Sequence, residues 1–500
     1  MLLSELVDRV GGSVADAAGG PGPEVLDAQL DSRRVGRGDL FAALPGSADD
    51  GLRHVTDAVG RGAVVVLTAP DRDLEPLLRD RPELQVAHWT HEDPREALAA
   101  AAGLLHGEPA SGLGFAGITG TNGKTTTAHL LGQLLGGAGL APAVLGTNGH
   151  LLADGKLRPS THTTPDAPEL ARLFRQHVDA GGRSVVMEVS SHALEQGRTA
   201  GLDFDVAVFT NLTREHLDYH GDMESYARAK ARLFSGLRPG AAAVINLDDP
   251  ASETMRAAAN SAGAEVYTYS TQRQASLRAD RLRTEPTGSR FELDGMGIFS
   301  TEVLLPLCGR YNVENALAAV AAACLMGASP DALVTGLATT SPAPGRFEPV
   351  NTGARGFGAF VDYAHSPDAL ERVLQEVRPH VRDGGRLLVV FGCGGDRDRG
   401  KRSEMGRLAG DLADIAVVTS DNPRTEDPDR IIEDVLEGMT SACAEVLVEG
   451  DRRAAIQRAV ERALPGDVLL VAGKGHETTQ EIAGERHPFD DRLVIRECLS

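Results

Sequence analysis

A chain of 500 residues exceeds one ordinary hydrophobic core, so two to four domains are expected. Hydrophobic content of 42% with 24% charged residues describes a soluble globular protein and excludes a disordered one. Aromatics at 4% and a formal charge of −21 speak against base stacking and against binding a nucleic-acid backbone, while local loops and metals still permit a small phosphorylated substrate.

The amino terminus, Met1-Leu-Leu-Ser-Glu-Leu-Val-Asp8, lacks the basic segment and apolar core of a signal peptide. No run is long enough to cross a bilayer, so no membrane insertion is expected. Five scattered cysteines without Cys-x-x-Cys spacing suit a reducing compartment and no structural zinc, which makes a cytoplasmic enzyme the expectation. Of 50 basic residues only five are lysine: Lys124, Lys156, Lys230, Lys401 and Lys474. Codon drift explains such a bias, but so does retention of lysine where a compact or titratable amine is needed.

In chain order, residues 1–108 mix short strands such as 63–67 with an Ala-rich helix at 94–105. Residues 109–345 open on Pro109-Ala-Ser-Gly112 and close on Ser341-Pro-Ala-Pro-Gly345, both linker-like. Apolar runs at 113–118, 184–188, 205–209 and 241–245 are each followed by a polar loop, and 386–391, 415–419 and 467–471 repeat the design within residues 346–500. Helical stretches between most of them predict parallel α/β sheets, whose ligands bind beyond the carboxyl ends of the strands.

The strongest motif is Gly117-Ile-Thr-Gly120-Thr121-Asn122-Gly123-Lys124-Thr125-Thr126, set between a strand and a helix. Its glycines let the backbone wrap phosphates, Lys124 reaches the β- and γ-phosphates, and the Thr125 hydroxyl is placed for magnesium. Isoleucine at 118 breaks the strict phosphate-loop pattern, and an ordinary Gly-rich turn is the competing reading. Glu188-Val-Ser190-Ser-His192 and Asn211-Leu-Thr-Arg-Glu-His216 each follow a strand, so their side chains are placed to converge near that loop. Magnesium prefers oxygen ligands, which Glu188 fits, whereas His216 is a less usual partner and a structural histidine remains an alternative. Lys230 lies in a helical pattern and on that alone reads as a solvated lysine. Three further motifs follow strands: Gly392-Cys-Gly-Gly-Asp396-Arg397, Asp421-Asn422-Pro423-Arg424 and Gly473-Lys474-Gly475-His476-Glu477. They offer arginines for a carboxylate and carboxylates for an ammonium, which suits a zwitterionic amino acid. A second phosphate site competes for the first of them, and solvated loops for any one.

Together with Asp31-Ser32-Arg33, Thr163-Thr164-Pro165-Asp166 and Asp362-Tyr-Ala-His-Ser-Pro367, these motifs resemble the Mur ligases of bacterial cell-wall synthesis, in their diaminopimelate-adding form. The resemblance implies an α/β fold of three domains. These are a small UDP-sugar-binding domain (1–108), a central P-loop-type parallel-sheet ATPase domain (109–345) and a Rossmann-like amino-acid-binding domain (346–500). It implies that Gly120–Thr126, Asn312, Asn315, Arg346 and Asp362 bind ATP. Ser32, Thr163, Thr164, Ser190, Gln196 and Arg198 would hold UDP-N-acetylmuramoyl-L-alanyl-D-glutamate. Arg397, Asp421, Asn422, Pro423, Arg424, Gly473 and Glu477 would hold meso-diaminopimelate. Lys124, Glu188, His216 and Lys230 would be catalytic. Magnesium would be held by Thr125, Glu188, His216 and Lys230, the last converted to a carbamate. Arg424 favours diaminopimelate over lysine, since its guanidinium grips the distal carboxylate that lysine lacks. Lysine-adding and folylpolyglutamate-type ligases stay as alternatives, as does a nucleotide-binding regulator without turnover. A monomer is expected, and Glu215 and Ser366 depart from the residues usual in the family.

Overall fold

A computed structural model describes residues 1–15, 21–46, 49–79, 86–285, 287–382 and 384–499. Its strands form three main sheets. The first contains β1 (Ser13–Ala15), β2 (Ala28–Gln29), β3 (Leu40–Ala42), β4 (Val65–Thr68) and β5 (Ala87–Thr90), in the order β1-β5-β4-β3-β2. All neighbours are parallel except β1 with β5.

The second sheet has eleven strands. Its parallel centre runs β13-β12-β11-β6-β10-β7, from β6 (Gly114–Thr119), β7 (Pro142–Gly146), β10 (Ser184–Glu188), β11 (Val206–Phe209), β12 (Ala242–Asn246) and β13 (Glu265–Ser270). A hairpin of β8 (Gly149–Leu151) and β9 (Leu157–Arg158) extends one edge. An antiparallel run of β14 (Leu277–Glu285), β15 (Gly288–Gly295) and β16 (Phe299–Leu305) extends the other. These additions alternate polar and apolar residues: Leu277 and Ala279 are buried while Arg278 and Asp280 are not, so no continuous apolar run announces them.

The third sheet has the order β17-β18-β22-β19-β20-β21, from β17 (Glu348–Pro349), β18 (Gly358–Asp362), β19 (Leu387–Phe391), β20 (Ile415–Val418), β21 (Glu445–Val448) and β22 (Val468–Ala472). Only the edge strand β17 is antiparallel. A separate hairpin joins β23 (Thr479–Ile482) to β24 (Glu485–Pro488).

Strands covered on both faces need apolar middles, and the central strands have them, with polar residues at their ends. Along β6, Ala116 and Ile118 pack towards the helices Lys124–Gly137 and Arg310–Leu325. Phe115, on the opposite face, packs with Phe174, Phe204 and Phe234. Each large side chain so buried contributes about 1.5–3 kcal/mol. Position 118 is therefore a core position inside β6, which accounts for isoleucine there. Gly117 serves packing as well, because a Cβ would meet the Phe204 ring at 2.7 Å.

The order of strands decides which loops meet. Because β10, β6 and β11 are neighbours, the loops carrying Glu188, Gly120 and Thr210 emerge side by side. Because β22, β19 and β20 are neighbours, so do those carrying Gly473, Arg397 and Asp421. Beneath the second group, fully buried Arg452 pairs through two bonds of 2.8 Å with fully buried Asp491. Its guanidinium also donates to the carbonyls of Ala472, at 2.9 Å, and Ser420, at 3.5 Å, fixing the ends of β22 and β20. Asp491→Ala would leave that guanidinium buried without its counter-ion and is expected to cost about 3–5 kcal/mol. Denaturant unfolding followed by a probe in the third domain measures it.

Candidate active site

The phosphate loop leaves β6 in a conformation that needs glycine at two points. Gly120 has φ 152° and a Cβ there would lie 1.9 Å from the Thr210 hydroxyl oxygen; Gly123 has φ 86° and would meet Asn315 Oδ1 at 2.5 Å. Asn211 anchors the near side, its carbonyl accepting from Thr121 N at 2.8 Å and its side chain from Asn122 N at 2.9 Å. The first-turn amides of the helix Lys124–Gly137 lack intrahelical acceptors and are the natural donors to an anion. Lys124 folds over the loop, its Nζ donating to the carbonyls of Gly120 and Thr121 at 2.8 Å each.

Lys230, in the helix Met223–Ser235, is 1% exposed. It is no solvated surface lysine. Its Nζ donates to the same Gly120 carbonyl at 2.8 Å and lies 4.4 Å from the centre of the Tyr226 ring. Burial first, then the neighbouring Lys124 charge, push its amine well below the ordinary lysine value. An amine so lowered gives up its proton more readily than a surface lysine, and this one sits next to the phosphate loop.

Glu188 closes β10, 2% exposed, and accepts from the Thr125 hydroxyl at 2.9 Å. Thr147 donates to it twice, from N at 2.9 Å and from Oγ1 at 3.2 Å. The Thr125 hydroxyl and Glu188 carboxylate thus pair two hard oxygen donors at the foot of the loop, which fits magnesium. His216 has a left-handed backbone, φ 56°, and its ring lies 4.8 Å from that of His192. Desolvation, then the charges of Lys124 and Lys230, lower it to about 4. With 45% of the side chain exposed, the positive charge beside the phosphate loop, that of Lys124 above all, is the firmer reason that it stays a neutral imidazole at pH 7. Among the described residues no group of three or more His, Cys, Asp or Glu side chains forms a ready metal cluster. Thr125 and Lys230 would have to complete one.

The remaining predicted contacts fall into separate groups. Asn315 abuts Gly123 and accepts from the Thr127 hydroxyl at 3.2 Å, whereas Asn312 is buried and donates to the Cys308 carbonyl at 2.8 Å. Arg346 reaches the loop, its Nη2 3.3 Å from Thr125 Oγ1, with its guanidinium carbon 4.5 Å from the centre of the Tyr363 ring. Asp362 is raised by burial, against the pull of Arg346, and accepts from Phe347 N at 2.7 Å. Thr164 donates to the Glu188 carbonyl at 2.9 Å and accepts from Ser190 N at 3.0 Å, and Thr163 meets Thr147 at 3.2 Å. Arg198 donates to Gln196 Oε1 at 2.8 Å and to the Thr164 carbonyl at 2.9 Å, so these residues form one wall. Ser32, 7% exposed, lies apart from it in the first domain, in the single turn Ser32–Arg34 capped by Asp31.

In the third domain Asn422 donates to Glu477 at 2.8 Å. Asp421 is raised by burial against the charges of Arg452 and Lys474. Burial acts in the same direction on Glu477, but the charge and hydrogen bond of Lys474, with the Asn422 bond, outweigh it and hold that carboxyl below its ordinary value. At Gly473, φ 115°, a Cβ would sit 2.4 Å from Asp421 Oδ2. Pro423 is buried where its carbonyl faces Gly395, and Arg424 donates to the Gly395 carbonyl at 2.5 Å. Arg397 is exposed beside it.

Four residues have no assigned role in the sequence analysis. Lys474, marked there by lysine scarcity and by its place in the motif after β22, has no exposed side-chain surface and donates to Asn422 Oδ1 at 3.0 Å and Glu477 at 2.9 Å. Asp368, from the third domain, accepts from Asn122 Nδ2 at 2.8 Å and the Thr213 hydroxyl at 2.9 Å. Thr147 and Thr210 follow no recognisable motif.

Comparison with known proteins bears on the family and the fold. Residues 118–323 match the Mur ligase middle domain, and residues 345–475 match the Mur ligase glutamate ligase domain. The UDP-N-acetylmuramoyl-L-alanyl-D-glutamate--2,6-diaminopimelate ligase of Geobacter metallireducens is 45% identical over 510 residues, covering 96% of this chain and 95% of its own. The one from Streptomyces coelicolor is 43% identical over 503 residues, covering 99% and 96%. A solved structure of a ligase so described is 36% identical with TM-score 0.69, covering 100% of this chain and 99% of that one. Folylpolyglutamate synthase of Mycobacterium tuberculosis, at 22% identity and TM-score 0.62 over 75% of this chain and 91% of its own, shares the fold. With three α/β domains, a phosphate loop in the middle one and relatives named as ligases over nearly its whole length, the chain is an ATP-dependent ligase. The chain belongs to the Mur ligase family.

Gly120→Ala tests the loop. Its methyl would displace Thr210 or the loop itself, and misplacement of that order is expected to weaken nucleotide binding about 100-fold, read by titration with a fluorescent ATP analogue.

Proposed function

We propose that the chain joins meso-diaminopimelate to UDP-N-acetylmuramoyl-L-alanyl-D-glutamate at the expense of ATP, making the UDP-muramoyl-tripeptide for peptidoglycan. One arrangement carries this reading. Arg346 and Tyr363 link the phosphate loop to a pocket that holds both carboxylates and guanidiniums, as Thr125–Arg346–Tyr363–His476 contacts run from one to the other. The near full-length likeness to ligases of that description supports it.

The D-glutamate side-chain carboxylate attacks the γ-phosphorus of ATP, the bond to the β-phosphate oxygen breaks, and ADP leaves. Lys124 and the helix-start amides hold negative charge on the phosphoryl oxygens during transfer. The diaminopimelate amine then adds to the acyl-phosphate carbonyl, loses a proton and expels phosphate, leaving an amide. Asp421 and Glu477 would hold the substrate's ammonium groups, and Arg397 and Arg424 its carboxylates. The wall of Thr163, Thr164, Ser190, Gln196 and Arg198 would hold the muramoyl-dipeptide, Ser32 the uridine nucleotide, and Asn312, Asn315 and Asp362 the rest of ATP. The proposed division is 1–108, 109–345 and 346–500.

Magnesium fits the Thr125–Glu188 oxygen pair with His216, and when bound it supplies positive charge to the phosphates. Lys230 completes that set as a carbamate. Its deprotonated amine would add to carbon dioxide, forming an N–C bond and releasing a proton, which leaves an anion beside the loop where an uncharged amine stood. A monomer in the cytoplasm suits soluble substrates; among the described residues no helix is long and apolar enough to cross a membrane.

Phosphate release with the UDP-muramoyl-dipeptide should be at least about 100-fold faster with meso-diaminopimelate than with L-lysine, as expected when a site built for a charged group meets a ligand lacking it. Equal rates would overturn the reading of Arg424, and no release with any amino acid would overturn the ligase. Lys230→Ala should lower kcat about 1000-fold, with partial return on adding formate or acetate as a replacement anion. Full activity of the variant would remove the carbamate.

A further inference from the structure

Arg397 and Arg424 stand on different loops, one after β19 and the other after β20, yet a dicarboxylate can be read by both only if their spacing is fixed. The loops are held at two residues of unfavourable backbone. Asp396 and Arg424 are both left-handed at φ 53°, a conformation that a non-glycine residue keeps only when its surroundings enforce it.

One carboxylate does much of the enforcing. Glu426 Oε1 accepts from the backbone N of Asp396 at 2.5 Å, and Oε2 accepts from Arg399 Nη2 at 2.9 Å. Behind it, Arg402, 1% exposed, donates Nη2 to Glu426 Oε1 at 2.9 Å and Nη1 to Oε2 at 3.2 Å. Arg402 also reaches Asp434 at 2.8 Å and the Gly394 carbonyl at 3.4 Å. Asp396 returns the contact, accepting from Thr425 N at 3.1 Å and Thr425 Oγ1 at 2.9 Å. Gly395 N donates to the Asn422 carbonyl at 2.9 Å, and a Cβ at Gly395 would lie 2.0 Å from the Pro423 carbonyl, so the loops are in direct contact along this seam. Arg402 first, then the Asp396 amide, hold the Glu426 carboxyl at about 2, so it stays ionised wherever the protein is folded near neutrality.

We infer that Glu426, seated on Arg402, is a positioning residue for amino-acid selection: it zips the two arginine-bearing loops together and so sets the distance between Arg397 and Arg424. The inference rests on the proposed diaminopimelate-adding activity. Neither Glu426 nor Thr425 touches substrate on this view, and the ATP-binding candidate Asp362 of the same domain closes β18, separated from β20 by β22 and β19.

Glu426→Ala should raise KM for meso-diaminopimelate about tenfold and narrow its preference over L-lysine, with KM for ATP and for the nucleotide substrate unchanged within about twofold. Thr425→Val, which removes a single hydroxyl contact, should raise the same KM about threefold and carries the test where Glu426→Ala does not fold. Glu426→Gln, which keeps shape but loses charge, should fall between alanine and the unsubstituted chain. An unchanged amino-acid KM in the folded variants, or an equal loss of kcat/KM for all three substrates, overturns the positioning role. Inactivity of the unsubstituted chain with diaminopimelate overturns the functional reading instead.

Discussion

The carbonyl oxygen of Gly120 accepts from two lysines, Lys124 and Lys230, each at 2.8 Å. Two ammonium groups on one acceptor repel strongly where little water screens them. The conflict is resolved at Lys230, which is the more deeply buried and gives up its proton more readily. The arrangement exists only because residue 120 has no side chain, since Thr210 fills the space a Cβ would take. A single peptide unit thereby sets the phosphate loop, the charge of one lysine and the packing of the next strand's loop.

From that unit the rest of the site follows by topology. Parallel strands in the order β11-β6-β10 deliver Thr210, Gly120 and Glu188 to one edge, where Thr125 and Glu188 meet at 2.9 Å. The first domain is attached beside this edge by Arg95, which donates to the Pro45 carbonyl at 2.7 Å and the Gln196 carbonyl at 3.1 Å. Arg172 of the middle domain reaches back to Asp27 at 3.0 Å. The residues proposed to hold the nucleotide-sugar peptide thus lie on both sides of that joint.

Legibility in the sequence tracked the kind of force involved. Buried parallel strands have apolar middles, so 184–188 could be read as a strand with its final bounds, and the Ala-rich stretch 94–105 as a helix with the bounds it has in the structure. The edge strands β14, β15 and β16 are half solvated and mixed in composition, and they passed unnoticed. Lys230 was read from its helix pattern as solvated, because a periodicity places a residue on a face without saying what covers that face; only the family resemblance reversed it. Asp368 was invisible for a deeper reason. Its partners Asn122 and Thr213 belong to another domain, and no local pattern encodes a contact across 246 positions.

That same contact explains why the work is divided among domains. In the proposed reaction an acyl phosphate must be kept from water until an amine arrives, which favours an amino-acid site held against the phosphate loop. Asp368 and Arg346 both bridge to the loop, at Asn122 and at Thr125. Asp368 sits in the first turn of the helix Pro367–Val377, and farther along that helix Glu376 accepts from Arg310 N at 2.8 Å, at the start of the helix Arg310–Leu325. The third domain is therefore held at both ends of one helix by the nucleotide-binding edge of the second. Such an interface holds the third domain against the phosphate loop, so that on the proposed reading the amino-acid site faces the place where the carboxylate is phosphorylated.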